Sequence, residues 1–158
     1  MKFFPRGFRT GQVLDDVDPQ HQHAAYLKYL GTLTPPLPSD VSDLSRTVNL
    51  HDGLLRQYEV DQRAGTIDLR FRAGDQQAGY FDLDLHYVHA VVDPASDGVL
   101  RRALGERDYE LLDDEFDAAA ARWVHRFLFS PDGEPAITFG GLTWSHSPRR
   151  DRFSDAAA

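Results

Sequence analysis

Four side chains of this sequence are of the types that hold a metal ion and activate a water molecule. They are His51 and Asp52, which are neighbours in the chain, together with Glu115 and His125. Imidazole nitrogens and carboxylate oxygens are ligands of zinc and manganese, and a remaining group could act as a general base. If folding brings the four side chains together, the protein is a metal-dependent hydrolase.

The acidic run that contains Glu115 offers a simpler arrangement around the same histidine. Its members, Asp113–Glu115, precede His125 in the chain. If residues 109–116 and 122–129 form a hairpin, some of these carboxylates face the imidazole. A carboxylate that orients a partly buried histidine can be catalytic, but it can equally be a satisfied structural pair. His125 shares a strand face with aromatic residues such as Phe127, which favours burial with a hydrogen-bond partner.

Other chemical motifs are weak or absent from the sequence. Asp52 lies just before Gly53, where a local turn hydrogen bond is expected, and His51 is expected to pack beside it. His86 and His89 have a spacing found in some zinc sites, but in a regular strand they point to opposite faces. The sequence contains no glycine-rich phosphate loop and no G-x-S-x-G elbow. We therefore predict neither a cofactor nor a bound metal.

A second group of polar residues alternates with apolar residues along two predicted strands. The group consists of Asp68, Asp82, Asp84 and His86. Alternation with a period of two places all four side chains on one face of a sheet. Arginines interleave with these carboxylates, so a solvated charged face is favoured over a site for a hard metal ion. We call this group the acidic face, and it could attract a basic protein partner.

The segment 49–92 that carries the acidic face has the pattern of a three-stranded antiparallel meander. Turns are expected at Gly65 and Gly74. If the second turn places Phe71 opposite Phe81, the apolar residues of all three strands fall on one face. In this register the predicted cross-strand pairs of the polar face are Arg70 with Asp82 and Asp68 with Asp84.

Helices are predicted on both sides of the meander. The first runs from Pro19 to Leu30, with Asp18 as its N-cap and Gly31 as its stop. Shorter helical segments are predicted at 40–46 and at 99–104, the latter capped by Ser96 or Asp97 and ended by Gly105.

The second half of the chain is less regular in its pattern. Residues 109–121 fit neither a helical nor a strand period, so both structures remain open there. We favour a strand over 109–116. A strand at 122–129, a turn at 130–133 and a returning strand at 136–143 with a bulge at 140–141 complete the expected sheet.

The fold class that these elements predict is α+β. One domain is expected over residues 1–145, with an antiparallel sheet of about five to six strands, one N-terminal helix packed on it, and a disordered tail at 146–158. The 158 residues include 25 acidic and 17 basic side chains, and the net charge of −8 disfavours nucleic acid as a partner. Cysteine, a membrane-spanning apolar run and a signal peptide are absent, so a cytoplasmic location is expected.

Two pieces of the sequence carry short motifs: Leu50–Asp52 with the strand containing Leu85–Tyr87, and Tyr109–Glu115 with His125–Ser130 and Ile137–Phe139. These pieces resemble a bacterial family of uncharacterised domains. In that family the acidic segment and the His-Arg segment are successive strands, which is why we favour a strand at 109–116. An insertion of alanines between the two segments departs from the family pattern. Because the family has no established activity, the resemblance implies a shape rather than a reaction.

We expect a non-enzymatic protein that binds a basic protein partner through its acidic face, in the manner of small acidic bacterial immunity or adaptor proteins. This expectation rests on the surface charge and on the lack of a recognisable catalytic set. One alternative is the metal-dependent hydrolase described above. A second alternative is a small-molecule binding domain with a pocket between the helix and the sheet.

Overall fold

A computed structural model of the chain describes residues 1–6 and 19–154, and side chains from residue 21 onward in the second range. The helices bounded within these ranges are α1 (Pro19–Leu30), α2 (Ser39–Thr47) and α3 (Pro94–Ala103). The strands there are β1 (Gly53–Asp61), β2 (Thr66–Asp75), β3 (Gly79–Val88), β4 (Val91–Val92), β5 (Glu110–Ala119), β6 (Arg122–Ser130), β7 (Ala136–Phe139) and β8 (Gly141–Arg149).

The strands form one antiparallel sheet in the order β4-β7-β6-β5-β1-β2-β3-β8. This confirms the α+β class and the antiparallel sheet. The expected five to six strands and single helix are wrong, because the described residues contain eight strands and three helices. The predicted returning strand divides at Gly140 into β7 and β8, and Val91–Val92 pairs separately as β4.

The sheet curls until its two edges approach each other. Two residues join β3 to β4, and Gly140 alone joins β7 to β8, although these strands lie towards opposite ends of the strand order. So short a link spans at most about 10 Å. The amide of Gly140 donates to the carbonyl of Val88 over 2.9 Å, which ties the ends together. The result is a barrel.

The barrel interior is filled with side chains from opposite walls. The ring of Phe71 on β2 stacks on that of Phe127 on β6, with centroids 5.6 Å apart. Tyr87 on β3 packs edge-on against Phe139 on β7. The predicted alternation in β2 and β3 is confirmed, because the inward residues are buried: Ile67, Leu69, Phe71, Leu83, Leu85 and Tyr87.

The predicted register of the β2–β3 hairpin is wrong by two residues. Phe71 lies opposite Leu83 rather than Phe81. Gly74 with φ +96° remains inside the strand, and Asp75 caps a tighter turn by accepting the amides at 77 and 78 over 2.7 Å. Because the shift is an even number, the apolar face is kept while every cross-strand partner changes.

The hairpin of β5 and β6 resolves the ambiguous region as strand. Residues 110–119 pair with 122–130, and Phe116 lies opposite His125. Ala120 adopts φ +55° in the connecting turn. The alanines therefore form the end of a strand and a turn, and do not interrupt the hairpin.

The pairing of β1 with β5 is short. The register of these two strands comprises only the pairs Gly53–Leu111 and Leu54–Glu110. Beyond them the hydroxyl of Tyr26 on α1 accepts the amide of Phe116 on β5 over 2.5 Å. The predicted bounds of α1 are confirmed, whereas its expected cap, residue 18, lies outside the described residues.

The third helix begins earlier than predicted. Asp93 is its N-cap, and its carboxylate accepts the amides of Ala95 and Ser96 over 2.9 and 3.1 Å. Pro94 then occupies the first turn, where its missing N–H costs nothing. The predicted caps, Ser96 and Asp97, therefore lie inside the helix. The predicted stop at Gly105 is confirmed, because the helix ends at Ala103 and Gly105 has φ +76°.

The expected disordered tail differs from the structure over residues 146–154. Residues 146–149 continue β8 along the edge of β3. The next residues turn back at Asp151, whose carboxylate accepts the amides of Phe153 and Ser154. The edge of β3 offers unpaired backbone groups, which explains why this segment becomes a strand. Residues 155–158 lie outside the described part of the chain.

None of the helices in the described ranges has the length and apolar character needed to cross a bilayer.

Candidate functional site

The four residues proposed as a metal cluster do not converge. Glu115 and His125 point to opposite faces of the sheet, since Glu115 neighbours the inward residue Phe116, which lies opposite His125. On the outer face the Glu115 carboxylate accepts the amides of Lys2 and Phe3 over 2.7 and 2.9 Å. Glu115 therefore holds the N-terminal segment against the barrel.

His51 and Asp52 meet each other at a different place. The Nδ1 of His51 lies 2.7 Å from the carbonyl oxygen of Leu112, so this nitrogen carries the proton and donates. Its Nε2 lies 3.3 Å from Oδ1 of Asp52, which adopts φ +61°. Among residues 1–6 and 19–154, no three or more His, Asp or Glu side chains are grouped so that they could hold a metal ion.

His125 is fully buried inside the barrel and stacks between aromatic rings. Its ring centroid lies 3.9 Å from that of Phe116 and 4.1 Å from that of Phe127. The Nδ1 atom is 2.7 Å from the hydroxyl of Tyr87, and Nε2 is 2.9 Å from Oδ2 of Asp114. Burial lowers the pKa of His125 and outweighs the opposite effect of Asp114. The imidazole is therefore neutral at neutral pH.

A neutral imidazole makes the direction of these hydrogen bonds unambiguous. The carboxylate of Asp114 only accepts, so Nε2 of His125 carries the single ring proton and donates it. Nδ1 then accepts from the O–H of Tyr87, whose pKa is raised by burial and secondarily by Asp114. Tyr87, His125 and Asp114 thus form one hydrogen-bonded chain from the barrel interior outwards, which we call the buried relay.

The outer end of the buried relay opens on a cavity between α1, α2 and β5. This first cavity has a volume of about 340 Å³ and lies where β5 has separated from β1. The side chain of Asp114 keeps 22% of its surface exposed there. The residues that line the cavity are Phe4, His23, Tyr26, Ser45, Arg46, Thr47, Val48, Asn49, Leu50, Asp113 and Asp114.

Tyr26 forms the part of the cavity wall beside Asp114. Its hydroxyl oxygen accepts the amide of Phe116, and its ring meets the ring of Phe4 edge-on at 5.3 Å. Burial, and then the charge of Asp114, raises the pKa of Tyr26 far above its usual value, so the phenol keeps its proton.

A second cavity of about 370 Å³ lies on the other side of the segment Thr47–Asn49. It contains the His51–Asp52 pair, and the rings of Phe81 and His146 meet edge-on at its wall with centroids 6.1 Å apart. The His51–Asp52 pair and the buried relay therefore border different cavities.

The residues predicted to form the acidic face alternate along their strands as expected, but their carboxylates lie beside basic side chains. Asp68 lies 2.6 Å from Nδ1 of His86, and Asp84 lies 2.6 Å from Nε of Arg70. The expected like-charge pair of Asp68 with Asp84 does not form, because the register shift gives each carboxylate a basic partner.

Asp82 is not part of an exposed surface. Arg72 and Arg149 both contact its carboxylate, at 2.5 and 2.7 Å, and the C-terminal residues cover the pair. Burial alone would raise the pKa of Asp82, but the two guanidinium groups outweigh it and hold the pKa below its usual value. The acidic face therefore offers a partner fewer free charges than the sequence suggests.

The prediction that an acid of the run Asp113–Glu115 faces His125 is confirmed by Asp114, whereas the metal-cluster hypothesis selected Glu115. Asp114, not Glu115, shares a face with His125, and strand parity around Phe116 is a signal that could have distinguished them. Tyr26 and Tyr87 were missed. They reach their partners only through α1 packing and barrel closure, and no local pattern encodes those contacts.

Comparison of the chain with protein families, with curated proteins and with solved structures gives no match. The resemblance to a family of uncharacterised bacterial domains stays a prediction.

Proposed function

We propose that this protein binds a small organic molecule in the first cavity. The observation that carries the proposal is the position of Asp114, which lies in the cavity wall and is held from behind by the fully buried His125. Ligand sites are typically apolar recesses with a few polar groups held in fixed directions. The first cavity combines the aromatic walls of Phe4 and Tyr26 with one such oriented carboxylate.

Binding to a basic protein partner is less well supported than binding of a small molecule. Of the carboxylates expected to attract that partner, Asp82 is buried between two arginines. Asp84 is half exposed but paired with Arg70. The adaptor hypothesis then depends on the net charge of −8, which is a property of the whole chain and indicates no particular surface. It stays a prediction that a pull-down at low salt would test.

The hydrolase hypothesis lacks a site where its residues meet. The carboxylate of Glu115 accepts hydrogen bonds from two backbone amides, and His125 is a neutral residue of the barrel interior. His51 and Asp52 remain together at the second cavity.

Native mass spectrometry of the full chain, followed by a thermal-shift screen of small organic compounds, tests the proposed function. We expect a retained or added ligand that raises the midpoint of unfolding, because a ligand that binds only the folded state stabilises it. The variant Ser45→Phe should abolish the shift, because Ser45 lines the first cavity.

The matched control is Ser39→Phe, the same substitution at an exposed position of the same helix. It should leave the ligand-induced shift unchanged. A ligand that stabilises Ser45→Phe as well as the wild type would show that the first cavity is not the site. Finding no ligand of any class would overturn the proposal.

A further inference from the structure

We propose that the first cavity binds a small primary amine with an apolar or aromatic body, and that the ammonium group of this ligand pairs with Oδ1 of Asp114. The inference rests on the proposed function and names the chemical class of its ligand.

The charge of Asp114 is the first reason. Two other partly or fully buried Asp side chains on the barrel strands have cationic partners: Asp82 contacts Arg72, and Asp117 contacts Arg126 at 2.9 Å. Within the described ranges the one partner of Asp114 is Nε2 of His125. Because His125 is neutral, this largely buried carboxylate has no counter-charge in contact with it. Arg46 also lines the cavity, but it is exposed and its Nε donates a hydrogen bond to Oγ of Ser42 over 3.4 Å. Burying an ion without a counter-ion in contact with it is costly, so the surroundings of Asp114 favour a cation.

The buried relay is the second reason, because it fixes the direction of the carboxylate. His125 cannot rotate, since its ring lies between Phe116 and Phe127 and its Nδ1 accepts from Tyr87. Its donated proton occupies Oδ2 of Asp114. The other oxygen, Oδ1, is left for a donor in the cavity. An ammonium group supplies up to three such donors.

The aromatic wall is the third reason, and it indicates the body of the ligand. Phe4 and Tyr26 present rings that meet edge-on, and an aromatic face attracts both apolar groups and cations. Tyr26 also lines the cavity beside Asp114, so its ring bounds the space next to the ammonium group. A volume of about 340 Å³ is at the lower end of ligand pockets, which limits the body to about one ring.

Benzylamine, benzyl alcohol and benzoate form a matched series for the test, since they share one ring and differ in charge. Isothermal titration of each into the full-length protein at pH 7.4 and low salt should show binding in the order amine, alcohol, acid. The variant Asp114→Asn should weaken benzylamine binding by at least about tenfold, the usual contribution of a hydrogen bond to a charged group. Binding of benzyl alcohol should change little.

Asp114→Asn is a suitable variant because the asparagine oxygen can still accept the proton of His125. The control is Glu106→Gln, which removes the same charge at an exposed position outside both cavities. It should keep the wild-type affinity for benzylamine within about twofold. Should Asp114→Asn fail to fold, amide chemical shifts of the wild type on adding benzylamine give a second readout. The amides around Asp114 and Tyr26 should then move first.

Four results would overturn the inference. If benzyl alcohol binds as tightly as benzylamine, or if Asp114→Asn binds the amine unchanged, the ammonium group does not pair with Asp114, although the cavity still binds ligands. Amide shifts confined to another part of the protein would show that benzylamine binds outside the first cavity. If none of the three probes binds while a compound of different chemistry stabilises the protein in the thermal-shift screen, the amine class is wrong and the proposed function stands.

Discussion

Arg72 and Asp82 form an ion pair on the outside of the barrel that is as buried as the apolar core. Nε of Arg72 lies 2.5 Å from Oδ1 of Asp82, and each side chain keeps 2% of its surface exposed. The other side of the guanidinium donates to the carbonyls of Asp151 and Ser154, over 3.0 and 2.6 Å. Two residues further along each strand, on the same sheet face, Arg70 and Asp84 make the same contact at about 40% exposure. The same chemistry thus occurs in two environments on one sheet face.

Asp82→Asn should therefore destabilise the protein far more than Asp84→Asn. Removing one partner of a buried pair leaves an uncompensated charge and costs about 3–5 kcal/mol, here on Arg72 and Arg149. Removing one partner of an exposed pair costs at most about 1 kcal/mol. Urea unfolding of both variants measures the difference. Equal losses would mean that the C-terminal residues do not cover the Arg72–Asp82 pair in solution.

The buried His125 should make the stability of the protein depend on pH. In the unfolded chain this histidine takes up a proton as the pH falls through about 6.5. Because the pKa of His125 is lowered in the fold, the folded chain does not bind that proton until a lower pH. Above pH 6.5 the contribution of the neutral His125 to the free energy of unfolding should have its full value. It should fall by up to about 1.4 kcal/mol for each pH unit below that value, until the folded pKa is reached. Urea titrations from pH 8 to 5 measure this slope.

His125→Phe is the control for that slope. Phenylalanine keeps the stacking with Phe116 and Phe127 but cannot titrate, so the wild-type slope in this pH range should be reduced by the part due to His125. The variant will also lose some stability at every pH, because Tyr87 and Asp114 lose their shared partner. An unchanged slope would show that His125 is not the group that titrates.

Two glycines should respond very differently to alanine. At Gly74, with φ +96°, a Cβ atom would lie 2.1 Å from the carbonyl oxygen of Gly79, so the hairpin backbone would have to move. At Gly65, with φ +69°, a Cβ atom would meet nothing within 4 Å. Gly65→Ala should cost about 1–2 kcal/mol from its backbone conformation alone, and Gly74→Ala clearly more. Thermal unfolding of both variants tests this, and a smaller loss at Gly74 would contradict the observed register.

Glu115 should control how firmly the N-terminal segment is attached. Its carboxylate accepts the amides of Lys2 and Phe3, whereas the single oxygen of glutamine can serve at most one of them well. Glu115→Gln should therefore speed hydrogen exchange at these two amides by about tenfold or more, the equivalent of one hydrogen bond to a charged group. Exchange in β2 and β3 should stay unchanged. Wild-type exchange rates at Lys2 and Phe3 would show that Glu115 does not hold the segment.

Local chemistry explains which elements could be predicted. The helix Pro19–Leu30 follows from a proline start, an apolar stripe and a glycine stop, all within one short segment. The faces of β2 and β3 follow from alternation, which depends only on neighbours in the chain. Expectations failed where a partner lies far away in sequence. The 146–149 segment is polar and reads as a tail, yet it becomes a strand because the edge of β3 is there to pair with it.

The sequence by itself determined the α+β class, the antiparallel meander and which side chains lie on each face. These follow from periodicity and turn residues, and they survive a register shift of two residues. Only the tertiary structure decided which partners meet: Asp84 with Arg70, Asp114 with His125, and His125 with Tyr87 across the barrel. The physical reason is that pairing across a barrel depends on register and closure, and both result from packing of the whole chain.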